Sequence, residues 1–166
     1  MSKIELVLRE LHRSENSLAR DLLTVADRHR VEHEIFHTAR DVARWSHDHV
    51  RLIAGSAAAH DLHLDPAPST GSPALLERLT HRTSELLGRR PEPGLLLLAD
   101  LRRLHRKAAG VSLDWELLSQ AAQAMRQRDL FELARRCHPQ TLRQMLRQMR
   151  WANGQLKIVS PQIIAS

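Results

Sequence analysis

A chain of 166 residues is long enough to bury one core without disulfides or a structural metal, so a single compact unit is expected. The lone cysteine, Cys137, excludes an intrachain disulfide framework and any cysteine-rich zinc module, and points to a reducing compartment. The net charge of +6 is carried almost wholly by arginine, yet there is no tyrosine and no basic run interleaved with aromatics for stacking on bases, so the expectation is against nucleic acid.

The opening MSKIELVLRELHRSEN has no apolar core of signal-peptide length, and the longest apolar run, Leu95 to Ala99, is too short to span a bilayer. A cytoplasmic address and no membrane are expected. The abundance of Arg, Leu and Ala suggests a bacterial genome rich in GC. Helical periodicity and strong helix formers fill nearly the whole chain, which predicts an all-α fold.

Ile4, Leu8, Leu11, Leu18, Leu22 and Ala26 share one stripe, predicting a first helix from about Lys3 to His29. The stripe then slips phase, and Val31, Ile35, Ala39, Val42, Ser46 and Ile53 begin another. This places a tight turn near Arg30 to Glu32 and a second helix ending near Ala59, so that residues 3–60 form a helical hairpin. Residues 61–72 are rich in Pro, Gly and Ser and read as a linker. Ser72-Pro73 then opens a short helix over 73–87 as N-cap and first-turn proline. A second hairpin occupies 94–153. Its first helix carries Leu97, Leu101, Leu104, Ala108, Val111, Trp115 and Leu118 on one stripe, with Gly110 as a weak point. The last helix runs from about Asp129 to Asn153, with Pro139 as a kink or restart. The apolar tail, residues 155–166, is expected to end that helix.

LRELHR at Leu8 to Arg13 recurs as LRRLHR at Leu101 to Arg106, and LLTVA at Leu22 to Ala26 is echoed by LLSQA at Leu117 to Ala121. Two such hairpins, each unable to bury its own stripe, predict a four-helix bundle of two antiparallel helical hairpins with a short crossover helix, occupying residues 1–154.

Glu15 stands in the dry stripe of the first helix, between Leu11 and Leu18, where a carboxylate needs a partner. With the turn near residue 31, antiparallel packing sets Glu15 level with residues 46 to 48, so that Ser46 and His49 lie at its height, Ser46 pointing inward and His49 at the edge of the stripe. A Glu at mid-height of one helix, a His at matching height on the next, and the first-helix stretch LRELHRSENSLARDLLTVADRH resemble the ferritin-like superfamily of carboxylate-bridged di-iron bundles. The resemblance implies a metal site for iron, manganese or zinc and a role in stress or metal handling.

The family pattern needs a Glu on two helices and Glu-x-x-His on the other two. Glu15 matches, but Ser46-x-x-His49 has serine for the bridging carboxylate and Ala108 takes the third-helix place. The candidate ligands are therefore Glu15, His49 and His138. A surface alternative is Glu34 with His33 and His37, which would form a column with His29 in an unbroken helix. Helical rise sets the Glu34/His37 pair roughly 17 Å along the bundle from Ser46 and His49, and it faces away from the apolar stripe. Cys137 beside His138 offers a thiol and a base, but adjacent helical residues point about 100° apart.

With the ligand pattern incomplete, the sequence favours a scaffold, assembly or adaptor protein over an enzyme, with metal binding through Glu15 and His49 and a nucleic-acid role as alternatives. A homo-oligomer or protein partner is expected to dock through Trp151, Leu156, Ile158, Ile163 and Ile164.

Overall fold

The structure, a computed structural model, describes residues 2–69 and 92–165, and omits the side chains of Met149 and of residues 155–165. The expected short helix over 73–87 lies outside the described residues. Four helices pack together: α1 (Lys3–Arg28), α2 (His33–Ala58), α3 (Pro93–Ala124) and α4 (Arg128–Ala165). Among the described residues there is no strand.

The ends of these helices follow local chemistry. Ser2 caps α1 by accepting from the Glu5 amide at 3.1 Å, with Glu5 three residues on, as a capping box requires. The α1–α2 turn falls at residues 29–32, as the phase slip of the stripe predicts. Helices α2 and α3 both end with a non-glycine residue at positive φ, Asp61 and Arg126, each at 57°. The next amide then reaches back to close the helix, Leu62 to Ala57 and Gln127 to Ala122.

Helix α1 packs against α2 and α3, and α4 against α3 and α2. The core is built from the predicted stripes, with Leu8, Leu11, Leu18 and Leu22 meeting Ile53, Leu101, Leu104, Trp115 and Leu118. On α4 the buried face changes character. Leu130, Leu133, Ala134 and Cys137 are apolar, whereas Thr141, Gln144 and Gln148 are polar and equally buried.

Two expectations for α4 need correction. Pro139 does not restart it: the helical assignment runs through, at the expense of the bond that the Arg135 carbonyl would otherwise receive. The tail does not end it either, because the backbone stays helical through Ala165. Gly154 stands in the interior without the positive φ that terminates helices, and its lower propensity, worth about 1 kcal/mol, is not a stop signal.

Candidate functional site

Glu15, Ser46 and His49 are fully buried. The turn at 29–32 places α2 so that His49 Nδ1 lies 2.7 Å from Glu15 Oε1. The opposite ring nitrogen, Nε2, lies 2.7 Å from Gln140 Oε1 on α4. From α3, Trp115 Nε1 donates to the same Glu15 Oε1 at 2.8 Å, and its ring meets the His49 ring edge-on with centroids 5.5 Å apart. Four helices thus each supply one side chain to a single hydrogen-bonded chain.

An imidazole with an oxygen facing each nitrogen donates at both only when doubly protonated. Burial favours the neutral ring, but the bond to Glu15, its negative charge and the bond to Gln140 outweigh it, and the pKa of His49 is raised above its ordinary 6.5. His49 therefore holds a proton against Glu15 more firmly than a free imidazole would, and the neutral Trp115 and Gln140 steady the contact. Beside it, Gln144 Nε2 donates to Ser46 Oγ at 3.0 Å and to the Val42 carbonyl at 3.1 Å. Glu15 Oε2, Thr141 Oγ1, Gln144 Oε1 and both amide atoms of Gln148 are buried without a hydrogen-bond partner.

As a ligand set the cluster falls short. His49 has both nitrogens committed, and Glu15 offers one free oxygen. Among the described residues no group of three or more His, Cys, Asp or Glu side chains comes together. His138 does not join Glu15 and His49: it is partly exposed, with Nε2 2.8 Å from Ser112 Oγ and Nδ1 3.8 Å from Glu116 Oε2. The buried position expected for it is taken by its neighbour Cys137, one helical step round. Burial, with Glu15 adding its charge, pushes the Cys137 thiol up to about 12, so it is no nucleophile.

Ser112, His138 and Glu116 stand in the order of a nucleophile, base and orienting acid, an arrangement that no motif in the chain signals. Ser112 lies mid-way along α3, where backbone N–H groups are spent on helical bonds and none is left to stabilise an oxyanion.

The surface alternative is not assembled either. His33, Glu34 and His37 are exposed, with the two histidine rings 6.4 Å apart. His29 turns away from them into the bundle, where its Nε2 lies 2.9 Å from Asp100 Oδ2 on α3. Asp100 also accepts two bonds from Arg28, at 2.8 and 2.9 Å. Burial raises the pKa of this carboxyl, but the His29 bond and the Arg28 and Arg103 charges hold it below its ordinary value. A nearby cavity of about 330 Å³ between α1 and α3 is lined by Arg20, Arg28, Arg103 and Lys107 among others. Lys107 is committed there to Ser17 at 2.8 Å and Asp21 at 2.6 Å.

Of the expected docking residues, Trp151 packs partly buried against the core; Leu156, Ile158, Ile163 and Ile164 lie where only the backbone is described. No helix among the described residues is long and apolar enough to cross a membrane. Comparison of the chain with protein-family models, with curated proteins and with solved structures finds no match.

Proposed function

We propose that this chain is a non-enzymatic scaffold or adaptor: a ferritin-like bundle of two antiparallel hairpins whose mid-bundle position is held by hydrogen-bonded side chains instead of metal. One observation carries the reading. His49 has both ring nitrogens bonded, to Glu15 and to Gln140, so the side chain best placed to bind a metal is already committed. Such a network fixes helix register, since only one alignment of α1, α2, α3 and α4 satisfies every member.

The protein, purified after growth with added iron, manganese and zinc, is assayed for metal by mass spectrometry, beside Glu15→Gln. Metal far below one ion per chain, unchanged by the substitution, is the expected result. The unpartnered Glu15 Oε2 favours a second reading, metal handling through Glu15 and His49. Stoichiometric metal that Glu15→Gln abolishes would establish that reading in place of the first.

An adaptor also needs partners, either a second copy or another protein, and the carboxyl-terminal part of α4 is the expected place for them. Truncation after Asn153, followed by light scattering, tests this: the expected result is a loss of mass or of partner binding.

A further inference from the structure

The charge of this chain is unevenly placed. All 19 acidic residues lie before residue 133, where an equal number of Lys and Arg balances them. The whole net charge of +6 therefore comes from Arg135, Arg136, Arg143, Arg147, Arg150 and Lys157, all within α4. Arg135 pairs with Glu132 at 3.6 Å, and Arg147 lies over the Trp45 ring, 5.1 Å from its centroid.

Arg136, Arg143 and Arg150 are spaced by seven residues, and Lys157 continues the spacing in the sequence. Seven residues turn a helix to within about 20° of its starting direction, so these arginines, with Arg147 between them, make one stripe. Arg136, Arg143, Arg147 and Arg150 are all exposed, over about 21 Å of helix. On α2, Asp41 and Asp48 are each paired with an arginine of their own helix, Arg44 and Arg51.

Beside the cations, on the outward face, stand Leu142 and Leu146, 44% and 65% exposed. A nucleic-acid backbone complements the guanidinium groups but offers leucine nothing. The boundary of an anionic bilayer takes both, the cations at the headgroups and the leucines at the acyl edge. Past Asn153 the helical backbone continues with the sequence GQLKIVSPQIIA, whose one charge is Lys157.

We propose that the outward face of α4 lies flat on anionic phospholipid membranes, with Arg136, Arg143, Arg147 and Arg150 on headgroup phosphates and Leu142 and Leu146 inserted between them. This names a partner surface for the adaptor reading and rests on it only for its purpose. The stripe is separate from the Glu15 network, so metal content and membrane binding fail independently.

The test is co-flotation of the full chain with vesicles of phosphatidylcholine alone and of phosphatidylcholine mixed with phosphatidylglycerol, at low and high salt. Binding is expected only to the anionic vesicles, and salt weakens it. Each cation against such a surface multiplies partitioning about fivefold, so Arg143→Gln/Arg147→Gln/Arg150→Gln lowers it about a hundredfold. The control Arg9→Gln/Arg13→Gln/Arg102→Gln, which removes the same charge from exposed sites on α1 and α3, loses far less. Leu142→Ser/Leu146→Ser weakens binding with the charge intact. All these positions are exposed, and circular dichroism checks that each variant keeps its helices. Equal losses in both arginine triples, or no effect of the leucine pair, overturns the proposal. So does failure to bind anionic vesicles while a short DNA duplex binds in a stripe-dependent way.

Discussion

Replacing Glu15 with alanine removes the acceptor shared by two buried donors, His49 Nδ1 and Trp115 Nε1. An unpaired buried donor costs about 1–3 kcal/mol, and losing one partner of a buried ion pair typically costs about 3–5 kcal/mol. His49 relieves part of this by giving up a proton, so the expected loss is about 3–4 kcal/mol. For a chain of this size that lowers the melting temperature by roughly 10 °C. Glu15→Gln keeps a carbonyl oxygen in place and loses only the charge, at about 1–2 kcal/mol. Urea unfolding of the three proteins at about pH 6 and about pH 8.5 measures both effects. The folded pKa of His49 is raised, so the native state holds its proton more tightly than the unfolded chain. That stability is fully present below 6.5 and is lost as pH rises through the folded value. Wild type therefore weakens toward alkaline pH, and Glu15→Gln loses this slope. His47, whose pKa burial lowers with the Arg51 charge adding, acts in the opposite sense but is common to both proteins and cancels in the difference. A Glu15→Ala protein within about 1 kcal/mol of wild type, with the same pH slope, would refute the network.

Asp100 contributes to the acid limb, together with Glu5 and Asp129, whose carboxyl pKa values are also lowered. The lowered carboxyl pKa of Asp100 contributes stability above the ordinary value of 3.8 that is lost as pH falls through the folded value, so Asp100→Asn flattens the decline measured by circular dichroism in that range. Cys137, buried with its thiol pushed up to about 12, should react with a thiol reagent only after denaturation; rapid stoichiometric labelling of the folded chain would contradict its placement. Gly110 is exposed in the interior of α3, and an added methyl group there meets nothing within 4 Å. Gly110→Ala should therefore stabilise the protein by about 0.5–1 kcal/mol in urea unfolding.

The first two helices were legible because the apolar stripe changes phase at their junction, and one turn of known position then fixes which residues lie level. That is why Glu15 could be matched to Ser46 and His49. The contacts reaching Glu15 and His49 from α3 and α4 could not be found this way, since residues 59–92 set no register that counting can follow. Internal repetition misled here: it matched Glu15 with Ala108, whereas the α3 side chain that reaches Glu15 is Trp115, seven residues on. The end of α2 had to be placed without a glycine signal because its left-handed position is filled by Asp61. Pro139 reads as a helix break, yet the one backbone bond it removes costs less than the packing of α4 against the core on either side of it contributes.

Histidine content invites a search for metal, and the structure gives these side chains another use. Among the described residues the buried histidines are His29 and His49, and each meets a buried carboxylate on a different helix: Asp100 on α3 and Glu15 on α1. The first contact ties the end of α1 to α3, and the second ties α2 to α1. Protonation, which the raised pKa of His49 favours, makes its contact with Glu15 a charge-assisted bond whose loss leaves an unpaired buried group. The informative feature of the sequence was thus the lone acid in a dry stripe, because burial obliges it to find a partner. Exposed histidines such as His33 and His37 carry no such obligation, however densely they are spaced.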